Sequence, residues 1–299
     1  MFGGILMRVS RESAFWLLVL VTCICCVIIP GAADAAYSVG FKSAAIEITS
    51  PSRNLTELSG DLTVTGKTDL QQLWLAVRGP GGEIETYPVD PEEGSFTRTI
   101  SLRFGQGIYT IWAGDNPRKF DGTVRFQVIN KAGEDNRYLA PSAYIDSADQ
   151  NIVKLAAAVT AGSKTSAEKA RAIHDWVAAN IGYDTGRLAS KDLSLSPASS
   201  TLEARQGVCS GYAFLTAALA RAAGLEARVV YGQAGSDSWE RQFHAWNEIK
   251  VDGRWVPMDT TWDAGYVKDG KFVRKTGDRY YDNAELFAKT YLVDSYAVY

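Results

Sequence analysis

Beyond its first 26 residues the chain holds a single cysteine, Cys209, and across its whole length only two histidines, His174 and His244. A thiol beside an imidazole is the minimum for covalent catalysis: the sulfur attacks a carbonyl, and the ring takes and returns the proton. Cys209 lies in Gly207–Ala223, GVCSGYAFLTAALARAA. From Tyr212 onward this stretch is rich in the helix formers Ala and Leu. Phe214, Leu215, Ala218, Leu219 and Ala222 recur at helical spacing, and Gly224 ends the run. Cys209 therefore falls at or near the first turn of a helix, where unpaired N–H groups and the dipole favour an anion such as a thiolate. The competing reading is a buried structural cysteine.

His244 and Asp259 supply the remaining parts. The sequence predicts two strands, 243–251 and 254–262, around Asp252-Gly253, a strong hairpin signal. A two-residue loop pairs Val251 with Arg254, so paired numbers sum to 505. His244 and Asp259 then share one face, one diagonal step apart, within reach of a hydrogen bond. Ile249, Val251, Val256 and Met258 take the opposite, buried face. Cys209, His244 and Asp259 thus make a candidate nucleophile, base and orienting carboxylate, with Asp259 near an open face. The alternative is that Asp259 caps a strand end and His244 is a packed edge residue. His174 is a rival base whose expected role is structural. The oxyanion donor stays open among the Cys209 N–H and the side chains of Trp176, Tyr183 and Gln206.

The elements that must position these groups follow from the rest of the chain. At 46% hydrophobic and 22% charged residues, with net charge −3, the composition is globular and carries no basic field for nucleic acid. No metal-ligand cluster or calcium-loop spacing stands out, and no cofactor is expected. Residues 1–36 read as a signal peptide: Arg8 and Arg11 precede an uncharged run, and Ala33-Asp34-Ala35 fits a cleavage site. That predicts a secreted or cell-surface protein. An uncleaved membrane anchor and an acylated Cys23 are the alternatives. Cleavage would leave Cys209 as an odd, free thiol.

Residues 37–130 alternate in six or seven short strands between turn signals and predict an immunoglobulin-like β-sandwich. Trp74 and Trp112 are expected in its core rather than on a ligand platform. Residues 131–144 read as a linker. From 145 to 299 the pattern becomes mixed. A helix carries Ile152, Leu155, Ala156 and Val159. A second, from about Ser166 to Ile181, opens on a Thr165/Glu168 capping box. Residues 182–200 read as polar loop, and a strand, 226–232, follows the Cys209 helix.

Three stretches together, GVCSGYAFLTAALARAAGLEARVVYG, FHAWNEIKVDGRWVPMDTTWDAGY and AIHDWVAANIGYD, resemble the transglutaminase-like superfamily in the order Cys, His, Asp. The tail GKFVRKTGDRYYDNAELFAKTYL is similar to that of bacterial secreted members. The resemblance covers about residues 145–292. It implies an α+β, papain-like core with Cys209, His244 and Asp259 as the catalytic residues. It also implies a thiol enzyme acting on protein or peptide amide bonds as peptidase, deamidase or transamidase. Protein substrates and cell-envelope components are the expected partners. The alternative is a non-catalytic cell-surface scaffold that kept the fold.

Overall fold

The computed structural model describes residues 38–192, 194–235 and 241–297. The expected signal segment, 1–36, lies outside them. Among the described residues no helix is long and apolar enough to cross a membrane.

The first eight strands are β1 (Ile46–Ser50), β2 (Thr56–Leu58), β3 (Asp61–Thr68), β4 (Leu73–Arg78), β5 (Ile84–Val89), β6 (Ser95–Ser101), β7 (Gly107–Gly114) and β8 (Val124–Asn130). They form a three-stranded sheet, β1-β3-β6, and a five-stranded sheet, β2-β8-β7-β4-β5. Leu62, Val64, Leu73, Leu75, Val77, Ile111 and Phe126 from both sheets are buried in one core. This is the β-sandwich that the alternation predicts. β5 escaped the sequence reading because Pro88 interrupts it; it survives as an edge strand, where proline is tolerated. Trp74 and Trp112 depart from expectation. Leu73, Leu75 and Val77 take the inner face of β4, leaving Trp74 half-buried on the outer face, and Trp112 is likewise half-buried on β7.

The segment 131–144 is stitched to both neighbours. Glu85, buried on β5, accepts the Ala143 N–H (2.8 Å) through Oε1 and two hydrogen bonds from Arg103 (3.1 and 3.0 Å) through Oε2. Arg103 also donates to the Arg137 carbonyl (2.7 Å), and Arg221 donates to the Ala140 carbonyl (2.9 Å). A buried carboxylate tolerates its surroundings only with such partners. Residues 39–299 accordingly cluster as one compact unit.

The remaining elements are α1 (Gln150–Val159), α2 (Ser166–Asn180), β9 (Gly182–Tyr183), α3 (Thr185–Ser190), α4 (Ala198–Ala204), β10 (Gln206–Gly207), α5 (Cys209–Ala222), β11 (Ala227–Ala234), β12 (Gln242–Val251), β13 (Arg254–Met258), α6 (Thr260–Ala264), β14 (Gly265–Lys268), β15 (Lys271–Arg274), α7 (Ala284–Thr290) and β16 (Tyr291–Tyr296). The Thr165/Glu168 capping box opens α2 as predicted. Two short helices occupy what reads as loop at 182–200. Asp184 caps α3 through Arg187 N–H (2.9 Å), and Pro197 pre-sets the entry to α4.

The helical spacing of Phe214, Leu215, Ala218, Leu219 and Ala222 predicts one apolar face on α5. In fact every residue from Gly211 to Arg221 is buried. A helix enclosed all round is the centre of its domain. It lies against the antiparallel sheet β13-β12-β11-β16. The β12–β13 register runs from Asn247–Met258 to Val251–Arg254, each pair summing to 505 as derived. Asp252 (φ 50°) and Gly253 (φ 82°) both take the left-handed conformation that a type I′ hairpin turn requires. Ile249, Val251, Val256 and Met258 are buried together as predicted. The second arm, however, stops at Met258. Asp259 leaves the ladder and becomes the N-cap of α6.

Candidate active site

Cys209 is the first residue of α5, partly exposed and unpaired with any other cysteine. Its preceding N-cap, Val208, offers no side chain to the helix start. The leading N–H groups of α5 are therefore uncapped by side chains and point toward the end that carries the sulfur.

His244 stands on β12, opposite Gly232 of β11. Gly232 is obligatory for packing: a Cβ there would meet the Leu292 carbonyl oxygen at 1.9 Å and the Trp246 ring at 2.8 Å. The His244 Nε2–H donates to Asp259 Oδ2 (2.7 Å), leaving Nδ1 as the ring nitrogen that Asp259 does not hold. Burial alone pushes the imidazole down. The charge and hydrogen bond of Asp259, followed by those of Cys209, outweigh it and raise His244 to about 10. The ring is 3% exposed and sits in an aromatic cage. Trp262 stacks on it at 4.9 Å, with Trp246 and Tyr291 each at 6.4 Å.

Asp259 is 1% exposed, so the expectation of an open face is corrected. Both carboxylate oxygens are fully engaged. Oδ1 accepts the N–H groups of Thr261 (3.0 Å) and Trp262 (3.2 Å) as the cap of α6, and Oδ2 accepts from His244 and from the Tyr291 hydroxyl (2.7 Å). Four donors around one buried carboxylate leave none of its oxygens unsatisfied. Tyr291 and Trp262 were not identified from the sequence. Trp262 falls on the cage only because the strand ends at Met258, and Tyr291 lies in the tail, where only the family resemblance pointed.

The rival base, His174, is 0% exposed, and both its ring nitrogens face carboxylates: Nδ1 and Asp175 Oδ1 at 2.9 Å, Nε2 and Asp263 Oδ2 at 2.9 Å. Of the oxyanion candidates, Trp176 lies beneath Arg205 (5.1 Å) and Gln206 is exposed on β10. Tyr183 pairs with Gly207 beside the helix start and stacks on Tyr212 at 6.4 Å. Burial first, then the negative charges at Cys209 and Asp259, raise the Tyr183 phenol to about 12, so it stays a neutral donor at ordinary pH. Among the described residues no group of three or more His, Cys, Asp or Glu side chains is arranged to hold a metal.

Residues 153–260 match the family described as Transglutaminase-like superfamily. Human kyphoscoliosis peptidase is 33% identical over 110 residues, which are 34% of this chain and 17% of that protein; the mouse protein of the same name is 33% identical over 107 residues. The match thus spans less than a fifth of the length of these curated relatives. Among solved structures, a candidate cysteine protease from Cytophaga hutchinsonii is 18% identical with a TM-score of 0.38, covering 87% of this chain and 81% of its own. The periplasmic domain of TgpA from Pseudomonas aeruginosa is 16% identical with a TM-score of 0.31, covering 75% of each chain.

Proposed function

We propose that this chain, whose residues 153–260 carry a transglutaminase-like core, is a thiol enzyme that opens amide bonds of protein or peptide substrates through a Cys209 acyl-enzyme. The observation that carries the reading is Cys209 at a helix start, acting electrostatically on a His244 ring that is hydrogen-bonded to buried Asp259. The Cys209 thiol gives its proton to His244, Sγ forms a bond to the amide carbon, and the carbonyl electrons move to oxygen. The Cys209 N–H and the Tyr183 phenol are the donors offered to that oxygen. The C–N bond then breaks, and the proton on His244 passes to the leaving amine. Water or a second amine attacks the thioester, gives its proton to His244 and releases the thiolate. Asp259 holds the ring so that Nδ1 faces sulfur and stabilises the imidazolium without exchanging protons.

Water as acceptor gives peptidase or deamidase chemistry, and an amine gives cross-linking. The curated relatives carry the name peptidase, which favours water. We further propose export, on the basic, uncharged and small-residue pattern of residues 1–36.

The test is mass spectrometry of β-casein incubated with the purified protein and monodansylcadaverine, beside a Cys209→Ala control. Backbone cleavage, amide-to-acid conversion or an amine adduct would each identify the acceptor. If no product exceeds the control, and iodoacetamide labels Cys209 at the rate of a free thiol, the scaffold reading replaces this one.

A further inference from the structure

The orienting carboxylate, Asp259, is the cap of a helix too short to hold itself. α6 has five residues, and isolated helices of that length are unstable in water. Since Oδ1 of Asp259 is bound to the first N–H groups of α6, any rotation of the helix turns the carboxylate and with it the His244 ring. What fixes α6 therefore fixes the site.

Two of its side chains pin it. At its start, Thr260 Oγ1 meets Thr216 Oγ1 of α5 at 3.0 Å. At its other end Asp263, 2% exposed, accepts the Tyr280 N–H at 3.0 Å and faces His174 Nε2 of α2 at 2.9 Å. The same backbone closes the loop: Asp259 N–H donates to the Tyr280 carbonyl (2.9 Å), and Asp263 N–H to the Asp259 carbonyl (3.1 Å). A carboxylate buried this deeply holds its place only while its donors do.

We infer that His174 is a positioning residue for the thiol–imidazole pair: through Asp263 it locks α6, and α6 aims Asp259 at His244. This rests on the acyl-enzyme reading above. Around His174 the charged and titratable groups are Asp175 on its own helix, Asp263 on α6, and Tyr281, whose ring lies edge-on at 5.0 Å. Arg171 lies one step out, bound to Asp175 and Asp278. Its neighbours explain why the ring is buried without being the base: each nitrogen already faces a carboxylate.

The presence of only two histidines makes the test direct. In ¹⁵N-histidine spectra of the full chain, replacing His174 leaves His244 as the sole signal. His174→Leu is expected to move the His244 titration down from about 10 toward the ordinary value near 6.5, and to slow turnover and iodoacetamide labelling of Cys209. Loss of aim at the ångström scale costs on the order of a hundredfold in rate. His174→Gln, which can place an amide N–H near the Nε2 position, should recover part of the loss. Asp263→Asn, which keeps the shape, carries the test if the leucine variant does not fold. Unchanged His244 spectra and Cys209 labelling in a folded variant, with only thermal stability lowered, would show His174 to be a packing residue and overturn the inference. If instead Cys209→Ser and Asp259→Asn leave wild-type His244 undisturbed, the acyl-enzyme reading itself fails, and this one with it.

Discussion

Asp259 has two jobs in one carboxylate, and two substitutions separate them. Asp259→Ala removes an N-cap, about 1 kcal/mol. It also leaves the buried His244 Nε2–H and Tyr291 hydroxyl without their acceptor, at roughly 1–3 kcal/mol each. The losses come to at least about 3 kcal/mol, a large part of the 5–15 kcal/mol typical of a domain. Asp259→Asn behaves differently. Asparagine caps as well as aspartate, so Oδ1 keeps its bonds to Thr261 and Trp262. The Tyr291 hydroxyl can turn to accept from the new amide. His244 Nε2 can accept only by giving up its proton, which moves to Nδ1, the nitrogen facing the sulfur. That is the wrong tautomer, and the equivalent change in a Ser-His-Asp protease costs about 10⁴ in turnover. Asparagine should therefore lose the ion pair with His244 but keep the cap, so it should unfold between wild type and alanine while losing nearly all Cys209-dependent turnover. The assay pairs calorimetry with casein turnover and iodoacetamide labelling on the same preparations. An asparagine variant that retains most of the wild-type turnover would refute the tautomer argument. One as unstable as the alanine variant would refute the cap argument.

Met258, one residue earlier and 0% exposed on the opposite face, should show the reverse: Met258→Ala costs roughly 2–5 kcal/mol in calorimetry with little change in labelling rate per folded molecule. Because the folded pair raises His244 above its ordinary 6.5 to about 10, its contribution to stability is complete below pH 6.5 and disappears as pH rises through 10. The thermal midpoint of wild type, but not of His244→Ala, should carry this alkaline decline. Tyr291→Phe removes one of four donors to Asp259, an expected loss of about 1 kcal/mol, and should lower the His244 titration less than Asp259→Asn does in ¹⁵N spectra. Glu85→Ala breaks the buried Glu85–Arg103 ion pair by removing its carboxylate, which typically costs 3–5 kcal/mol. Because Glu85 also holds Ala143, the Cys209 domain should lose stability with the sandwich in one calorimetric transition.

The hairpin was legible because its signals are local. Asp252-Gly253 sets the turn, alternation sets the faces, and together they bring His244 to Asp259 before any tertiary fact is known. The start of α5 was legible for the same reason. What stayed hidden depends on distant partners. Nothing local says that strand pairing ends at Met258, because Asp259 trades a ladder position for a cap that only α6 can use. Burial of Asp259 and His244 comes from Trp262, Trp246 and Tyr291 closing over them. The enclosure of α5 comes from its position against the sheet and α1, α2 and α4, not from its own sequence, which reads as one-sided. The 131–144 segment reads as linker by composition, yet its backbone is held at Arg137, Ala140 and Ala143 by Arg103, Arg221 and Glu85 from either side.

The Tyr291 hydroxyl on Asp259 also sets a timetable. A ribosome makes the thiol long before the residue that completes its support: 291 − 209 = 82 residues separate them. At 5–20 residues per second, that interval lasts roughly 4–16 seconds. Throughout it, a nascent chain carries Cys209 with neither β16 nor the full cage around His244. If Cys209 opens amide bonds as proposed, assembly in this order keeps it unarmed while its own chain and its neighbours on the polysome are still unfolded, and so most open to attack.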